Sequence, residues 1–177
     1  LARKNPLGAF GFAVVLLMVF MAAFADVITT YDAEDIDFEH MLASPGWEFL
    51  LGTDQLGRDI FTRIVYGART ALLVGITASV VGAFIGLILG VGSAYFGGTF
   101  DLLFQRVMDV FMAFPLIILA LAIVSIFGGG VDKVILAITI PFIPRCARVV
   151  RSNALAIREI PYVDAARAMG FSHSRII

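Results

Sequence analysis

Three long stretches of this chain contain no charged residue: residues 5–25, 70–100 and 110–131, of 21, 31 and 22 residues. Each reaches the roughly 20 residues that an α-helix needs to cross a hydrocarbon core. Helices in soluble cores rarely run so far without charge. The chain is also 60% hydrophobic and only 15% charged over 177 residues, where soluble domains carry about 25% charge. A single core of this size cannot hide that much apolar surface, so lipid must take the rest. The expected class is an all-α integral membrane protein.

A fourth apolar stretch, residues 134–144, has only 11 uncharged residues. Ala147, Val149 and Val150 extend it past Arg145 and Arg148, whose side chains can snorkel to the headgroups. Pro141 and Pro144 would kink such a helix unless its neighbours satisfy the freed carbonyls. We read a fourth span over about 134–152, with a re-entrant or interfacial segment as the alternative. The other spans fall at about 5–28, 70–97 and 110–131. Residues 1–50 then form an N-terminal span and an acidic outer loop. Residues 51–69 form a connecting segment, and residues 70–177 a helical core domain. The chain starts at Leu1 rather than Met and stops at Ile177 inside a polar segment, which reads as a truncated piece.

Basic residues orient the spans. With the N-terminus in the cytoplasm, the inner segments hold Arg3, Lys4, Arg106, Arg145, Arg148, Arg151, Arg158, Arg167 and Arg175. The outer segments hold only Arg58, Arg63, Arg69 and Lys133, a bias in the positive-inside direction. A rival reading of Arg3, Lys4, the following apolar run and Ala23-Phe24-Ala25 is a cleaved secretory signal. Its apolar run is longer than the usual 7–15 residues or so, so a retained span fits better.

Chemistry is sparse. The only lysines are Lys4 and Lys133, and neither sits in a glycine-rich phosphate loop. No H-E-x-x-H or G-x-S-x-G motif occurs. Two distant histidines and the single Cys146 suggest no metal centre and no internal disulfide. No cofactor and no catalytic residue is expected, and the net charge of −1 gives no reason to invoke nucleic acid.

Three segments carry information. In the second span, Gly82, Gly86 and Gly90 recur every fourth residue, which puts them on one helix face where another backbone can approach closely. Gly75 and Gly92 read as further thin spots, and Gly97-Gly98 as a turn out of the membrane. Ahead of that span, LGTDQLGRD leads into Ile60, Phe61, Ile64, Val65 and Ala68 on one face, with Asp59, Thr62, Arg63 and Arg69 on the other. This reads as an amphipathic helix on the outer membrane surface, with Asp59 and Arg63 able to pair at i, i+4.

Near the end, EIPYVDAARAMGFSHSRII places Pro161 at a helix start and Asp164 in its first turns. Tyr162, Ala166 and Met169 share a face with Ala165 beside it. Gly170 provides a left-handed stop, and Ser172 a second cap. The expected product is a short helix over 161–169 with a small-residue patch, able to enter a groove of another protein.

Asp164-Ala165-Ala166 followed by Gly170 resembles the EAA-x3-G signature of binding-protein-dependent import permeases. Gly52, Thr53, Asp54, Gly57, Arg58 and Asp59, followed by RIVYGARTALLVG, resemble the dipeptide/oligopeptide/nickel permease group of that superfamily. FPLIILALAIV at 114–124 and ARVVRS at 147–152 extend the likeness over nearly the whole chain. Asp164 stands where the signature has glutamate, with its charge preserved.

The resemblance implies a type I importer permease fold with six spans, of which this chain would hold four. It implies a second permease subunit, commonly in a heterodimer, and two cytoplasmic ABC ATPases docking on the coupling helix. It also implies an extracytoplasmic solute-binding protein delivering peptides, nickel or another small solute, and a place in the plasma or inner membrane. On this reading Tyr162, Asp164, Ala165, Ala166, Met169 and Gly170 couple to the ATPases. A secondary carrier or channel is the rival class, but it would need charged or broken spans at membrane depth. A membrane-embedded enzyme would need a polar catalytic cluster there. Bound ATPases on purification separate the three.

Overall fold

The computed structural model describes residues 5–176, so Arg3 and Lys4 of the orientation argument lie outside the described residues. Among the described residues every regular element is a helix, with a long loop over 29–59, and the chain forms two compact units, one up to Val74 and one from Gly75.

The first unit opens with α1 (Pro6–Ala23), which starts on Pro6 and has no buried residue. A single helical turn, α2 (Ala25–Ile28), follows. The Asp26 carboxylate accepts hydrogen bonds from the Tyr66 hydroxyl (2.8 Å) and Arg69 Nη2 (3.1 Å). Arg69 Nε donates to the Ala22 carbonyl at 3.0 Å. These contacts fix the end of α1 to the start of α3 (Ile60–Phe96). The loop between them folds around buried Phe49, against which Tyr31 stacks at 5.3 Å and His40 packs at 5.4 Å.

The expected interfacial helix and second span are one continuous helix. At 37 residues, α3 measures roughly 55 Å at 1.5 Å per residue, well beyond a hydrocarbon core of about 30 Å. No proline interrupts residues 60–96 and Gly67 and Gly75 stay helical, so nothing separates a surface segment from a spanning one. Its inward face is Thr62, Val65 and Ala68, all buried, whereas Ile64 is exposed. Arg63 does not pair with Asp59. The Asp59 carboxylate caps the helix by accepting from the Thr62 N–H at 2.9 Å, and Arg63 reaches Asp54 instead.

In the second unit the chain turns at Gly97 and Gly98, both at positive φ, into α4 (Gly98–Ala113). The expected third span, 110–131, is broken: α4 ends at Ala113, α5 (Leu116–Phe127) begins after Pro115, and the two axes differ by 88°. Proline forces the residue before it out of the helical region, and Phe114 is extended (ψ 132°). After a turn through Gly128 and Gly130, both at positive φ, α6 (Val131–Arg158) runs 28 residues through buried Pro141 and Pro144. The expected fourth span, 134–152, lies inside α6. Among the described residues, α1 and α3 are long and apolar enough to cross a membrane, and the bent α4–α5 pair makes three if it counts as one span. The arginines at 145, 148 and 151 set α6 apart. Thr139 bonds back to the Ile135 carbonyl (2.7 Å), within its own helix.

Candidate functional site

The polar segment after α6 is built from its own sequence. Ile160 is extended (ψ 134°), as the residue before a proline must be. Pro161 then opens α7 (Pro161–Ala168), one residue shorter than the expected 161–169, with Met169 as its cap. The stop has two bonds: the Gly170 N–H donates to the Arg167 carbonyl (2.9 Å) and the Phe171 N–H to the Ala166 carbonyl (3.2 Å). That pattern needs a left-handed residue, and Gly170 supplies it at φ +78°. Val163 is the buried anchor of α7. Tyr162, Asp164, Ala165 and Met169 are exposed, and Ala166 is half-buried. Asp164 lies 3.7 Å from Arg167 one turn on. The short α8 (His173–Ile176) follows Ser172, whose carbonyl accepts from Arg175 and Ile176 N–H groups.

This surface is tied to the end of α3 by residues to which sequence reasoning gave no role in the site. Arg158 Nη1, in the last turn of α6, donates to the Ala94 carbonyl at 2.8 Å. The Tyr95 hydroxyl lies 2.6 Å from His173 Nδ1, and the Arg167 guanidinium sits 5.3 Å from the centre of the Tyr95 ring. Deeper, the Asp101 carboxylate accepts from both Arg151 Nε (2.6 Å) and Arg151 Nη2, and from the buried Ser93 hydroxyl. Asp101 is 9% exposed. Arg151 keeps about a quarter of its side chain exposed, so removing one partner costs less than the roughly 3–5 kcal/mol of a fully buried pair. Nearer solvent, Arg148 donates to Asp109 at 2.5 Å. Partners 39 and 50 residues apart leave no local pattern. The one available signal was two acids and two arginines bordering apolar helices.

The glycine face of α3 lies against α6. A Cβ on Gly82 would come 2.6 Å from Phe142 Cδ1, one on Gly86 2.6 Å from Cys146 Cβ, and one on Gly90 2.5 Å from the Ala147 carbonyl oxygen. Gly75 and Gly92, expected as further thin spots, have nothing within 4 Å. Gly92, two residues after Gly90, lies on the opposite side of the helix, whereas Gly75, two turns before Gly82, shares the face but has nothing packed against it.

The GTDQLGRD stretch is a compact knot in the first unit. Gly52 (φ +75°) and Gly57 (φ +76°) adopt backbone that side chains disfavour, and a Cβ on either would strike the Ala43 or Asp37 carbonyl. Thr53 Oγ1 accepts from the Ala43 N–H (2.8 Å) and donates to the His40 carbonyl. The Asp54 carboxylate gathers the Leu56 N–H (2.8 Å), the Arg58 N–H (3.1 Å), Arg58 Nε (2.9 Å) and Arg63. Partial burial pushes the Asp54 carboxyl up, but these donors together outweigh it and hold it at about 2. Nearby, His40 Nδ1 lies 2.7 Å from Asp37 Oδ2, which raises the imidazole above its ordinary value.

Residues 82–177 match the model of the binding-protein-dependent transport system inner membrane component family. Residues 2–45 match that of the N-terminal transmembrane domain of oligopeptide transport permease C. A Brucella suis protein named as a peptide transport system permease is 44% identical over 167 residues, covering 94% of this chain and 56% of its own length. A dipeptide transport system permease protein of Alkalihalophilus pseudofirmus is 41% identical over 176 residues (99% and 58%). A glutathione transport system permease protein of Pectobacterium atrosepticum is 42% identical over 157 residues (88% and 52%). The chain thus spans a little over half the length of these relatives.

Proposed function

Because this chain belongs to the family of binding-protein-dependent transport system inner membrane components, with its type I permease fold, we propose that it is the membrane-spanning permease subunit of an ATP-driven importer. Its helices line part of a path for small peptides, and nickel is the alternative cargo. On this reading a second permease subunit completes the path and an extracytoplasmic binding protein delivers the solute. Two cytoplasmic ATPases dock on α7 through Tyr162, Asp164, Ala165, Ala166, Met169 and Gly170. Hydrolysis belongs to those ATPases and not to this chain.

The observation that carries the reading is the form of α7. It is a two-turn helix anchored by Val163, closed by Gly170 and presenting Tyr162, Asp164, Ala165 and Met169 outward. It sits at the end of α6, which Arg158 holds to α3. A short rigid helix at that place can pass movement of a docked partner into α3 and α6, shifting a two-state path. The cytoplasmic N-terminus rests on the distribution of basic residues.

The test is reconstitution. The full-length chain, its partner permease and the two ATPases in proteoliposomes should take up labelled dipeptide, delivered by the binding protein, only when the ATPases are supplied with ATP. Uptake of nickel in place of dipeptide would reassign the cargo. Uptake driven by an ion gradient without ATPases would establish the carrier reading instead.

A further inference from the structure

Two oxygens in the first unit are buried without a hydrogen-bond partner: Asp59 Oδ1 and Thr62 Oγ1. Asp59 is 6% exposed and Thr62 wholly buried. Leaving such groups unmet costs about 1–3 kcal/mol each, and more when charged, so two of them in one turn of chain call for an explanation. Helix capping accounts for the other carboxylate oxygen alone, since Oδ2 already holds the Thr62 N–H. Both residues line a cleft of about 160 Å³ whose remaining walls include Tyr31, Trp47, Glu48 and Phe61.

The lining selects the ligand. It holds two carboxylates, Asp59 and Glu48, three aromatic rings and no lysine or arginine. An anion is disfavoured there, even at a helix start. The missing element is a positively charged group with several N–H donors: one for Asp59 Oδ1, one for Thr62 Oγ1, and charge for Glu48; both oxygens are closed off from solvent in this structure, so the cleft wall must part slightly to admit it. Aromatic faces add a further preference for a cation. A divalent metal fits poorly, because among the described residues no group of three or more His, Cys, Asp or Glu side chains is arranged to hold one. We propose that Asp59 and Thr62, with Glu48 and the Tyr31, Trp47 and Phe61 rings, form a binding site for a primary ammonium group. The cleft accommodates the head of a small amine and not a whole peptide, so it holds an amino terminus or a lysine-type chain. That it faces the cell exterior rests on the orientation proposed above, whereas the binding itself does not. Failure of the site therefore leaves the importer reading intact, and failure of that reading leaves binding measurable.

Trp47 is the single tryptophan in this sequence, fully exposed at the rim of the cleft, so closure of its ring over a bound ammonium group changes its emission. The full-length chain in nanodiscs is titrated with n-butylammonium chloride at constant ionic strength, with the Trp47→Phe protein as the blank. Saturable change in emission is expected with butylammonium and not with sodium chloride. Asp59→Asn retains the helix cap, because asparagine caps equally well, and should raise the half-saturating concentration about tenfold or more, the loss expected for one charged hydrogen bond. Glu48→Gln is exposed and cannot disturb folding. It should weaken binding by a smaller factor. Alaninamide and Nα-acetyl-lysine amide then tell an amino terminus from a lysine chain. No saturable response in the parent, an unchanged response in both Asp59→Asn and Glu48→Gln, or an equal Asp59-dependent response to nickel chloride each overturns the proposal.

Discussion

Gly86→Ala adds one methyl group on the face of α3 that lies against α6. The new Cβ would lie 2.6 Å from Cys146 Cβ, 3.1 Å from the Ala147 nitrogen and 3.3 Å from the Cys146 carbonyl carbon. Carbon atoms prefer about 3.5–4.0 Å, so the helices must part by roughly 1 Å. Two of the three neighbours are backbone, which cannot swing aside. Overpacking of this kind costs about 1–3 kcal/mol. For a chain of this size that lowers the melting midpoint by about 2–12 °C. Gly92→Ala supplies the control on the same helix: it meets nothing within 4 Å, and alanine removes glycine's helix penalty of about 0.5–1 kcal/mol. Gly82→Ala should fall between them, because the atom it meets is the edge of the Phe142 ring, which can turn. The assay is fluorescence-detected size exclusion after heating detergent-solubilised protein. The expected order of stability is Gly92→Ala at or above the parent, then Gly82→Ala, then Gly86→Ala. If Gly86→Ala and Gly92→Ala melt together, α3 and α6 do not meet at Gly86.

Three further outcomes follow. A cysteine at Glu34 should react with an impermeant thiol reagent on intact cells and one at Ser172 should not, with Cys146 replaced first; the reverse pattern would invert the orientation. Asp54 is held at about 2, below its ordinary 3.8, so its contribution to the first unit is complete above about pH 4 and is lost as pH falls toward 2. Asp54→Asn should therefore flatten the acid limb of the melting-midpoint profile, and an unchanged limb would refute this. His40 is raised above its ordinary 6.5 by Asp37, so the pair's contribution is present below that value and fades as pH rises through the raised one. NMR titration should find the His40 midpoint above 6.5 in the parent and lower in Asp37→Asn.

The parts legible in the sequence are those governed by neighbours along the chain. Uncharged length marked α1 and α3, Pro161 and Gly170 bounded α7 to within a residue, and the four-residue glycine period marked the face of α3 that meets α6. The break at Phe114-Pro115 was readable in principle, since proline excludes a helical residue before it. The apolar run on both sides concealed it, because lipid-facing sequence looks the same in one helix or two. The continuity of α3 from Ile60 was missed for the opposite reason: the charges at Arg63 and Arg69 suggested a boundary that the backbone does not need. Asp101 with Arg151, and Tyr95 with Arg167 and His173, could not be read at all, because a contact across 50 or more residues depends on how helices pack. The orphaned oxygens of Asp59 and Thr62 were hidden likewise. In sequence Asp59 is a capping residue and Thr62 a polar-face residue, and only the fold buries both.

Association of the ATPases tests the central claim most directly. Ala165→Arg places a long charged chain on the exposed face of α7. Gly170→Val puts a β-branched residue at φ +78° with open space around it, so the disruption is backbone strain and not a clash. Both lie outside the spanning helices, and membrane insertion should be normal. Co-purification of the ATPases with the full-length parent and each variant, measured beside dipeptide uptake, should show binding and transport in the parent and loss of both in the variants. Variants that retain the ATPases and transport at the parental rate would contradict the assignment of α7 as the coupling helix.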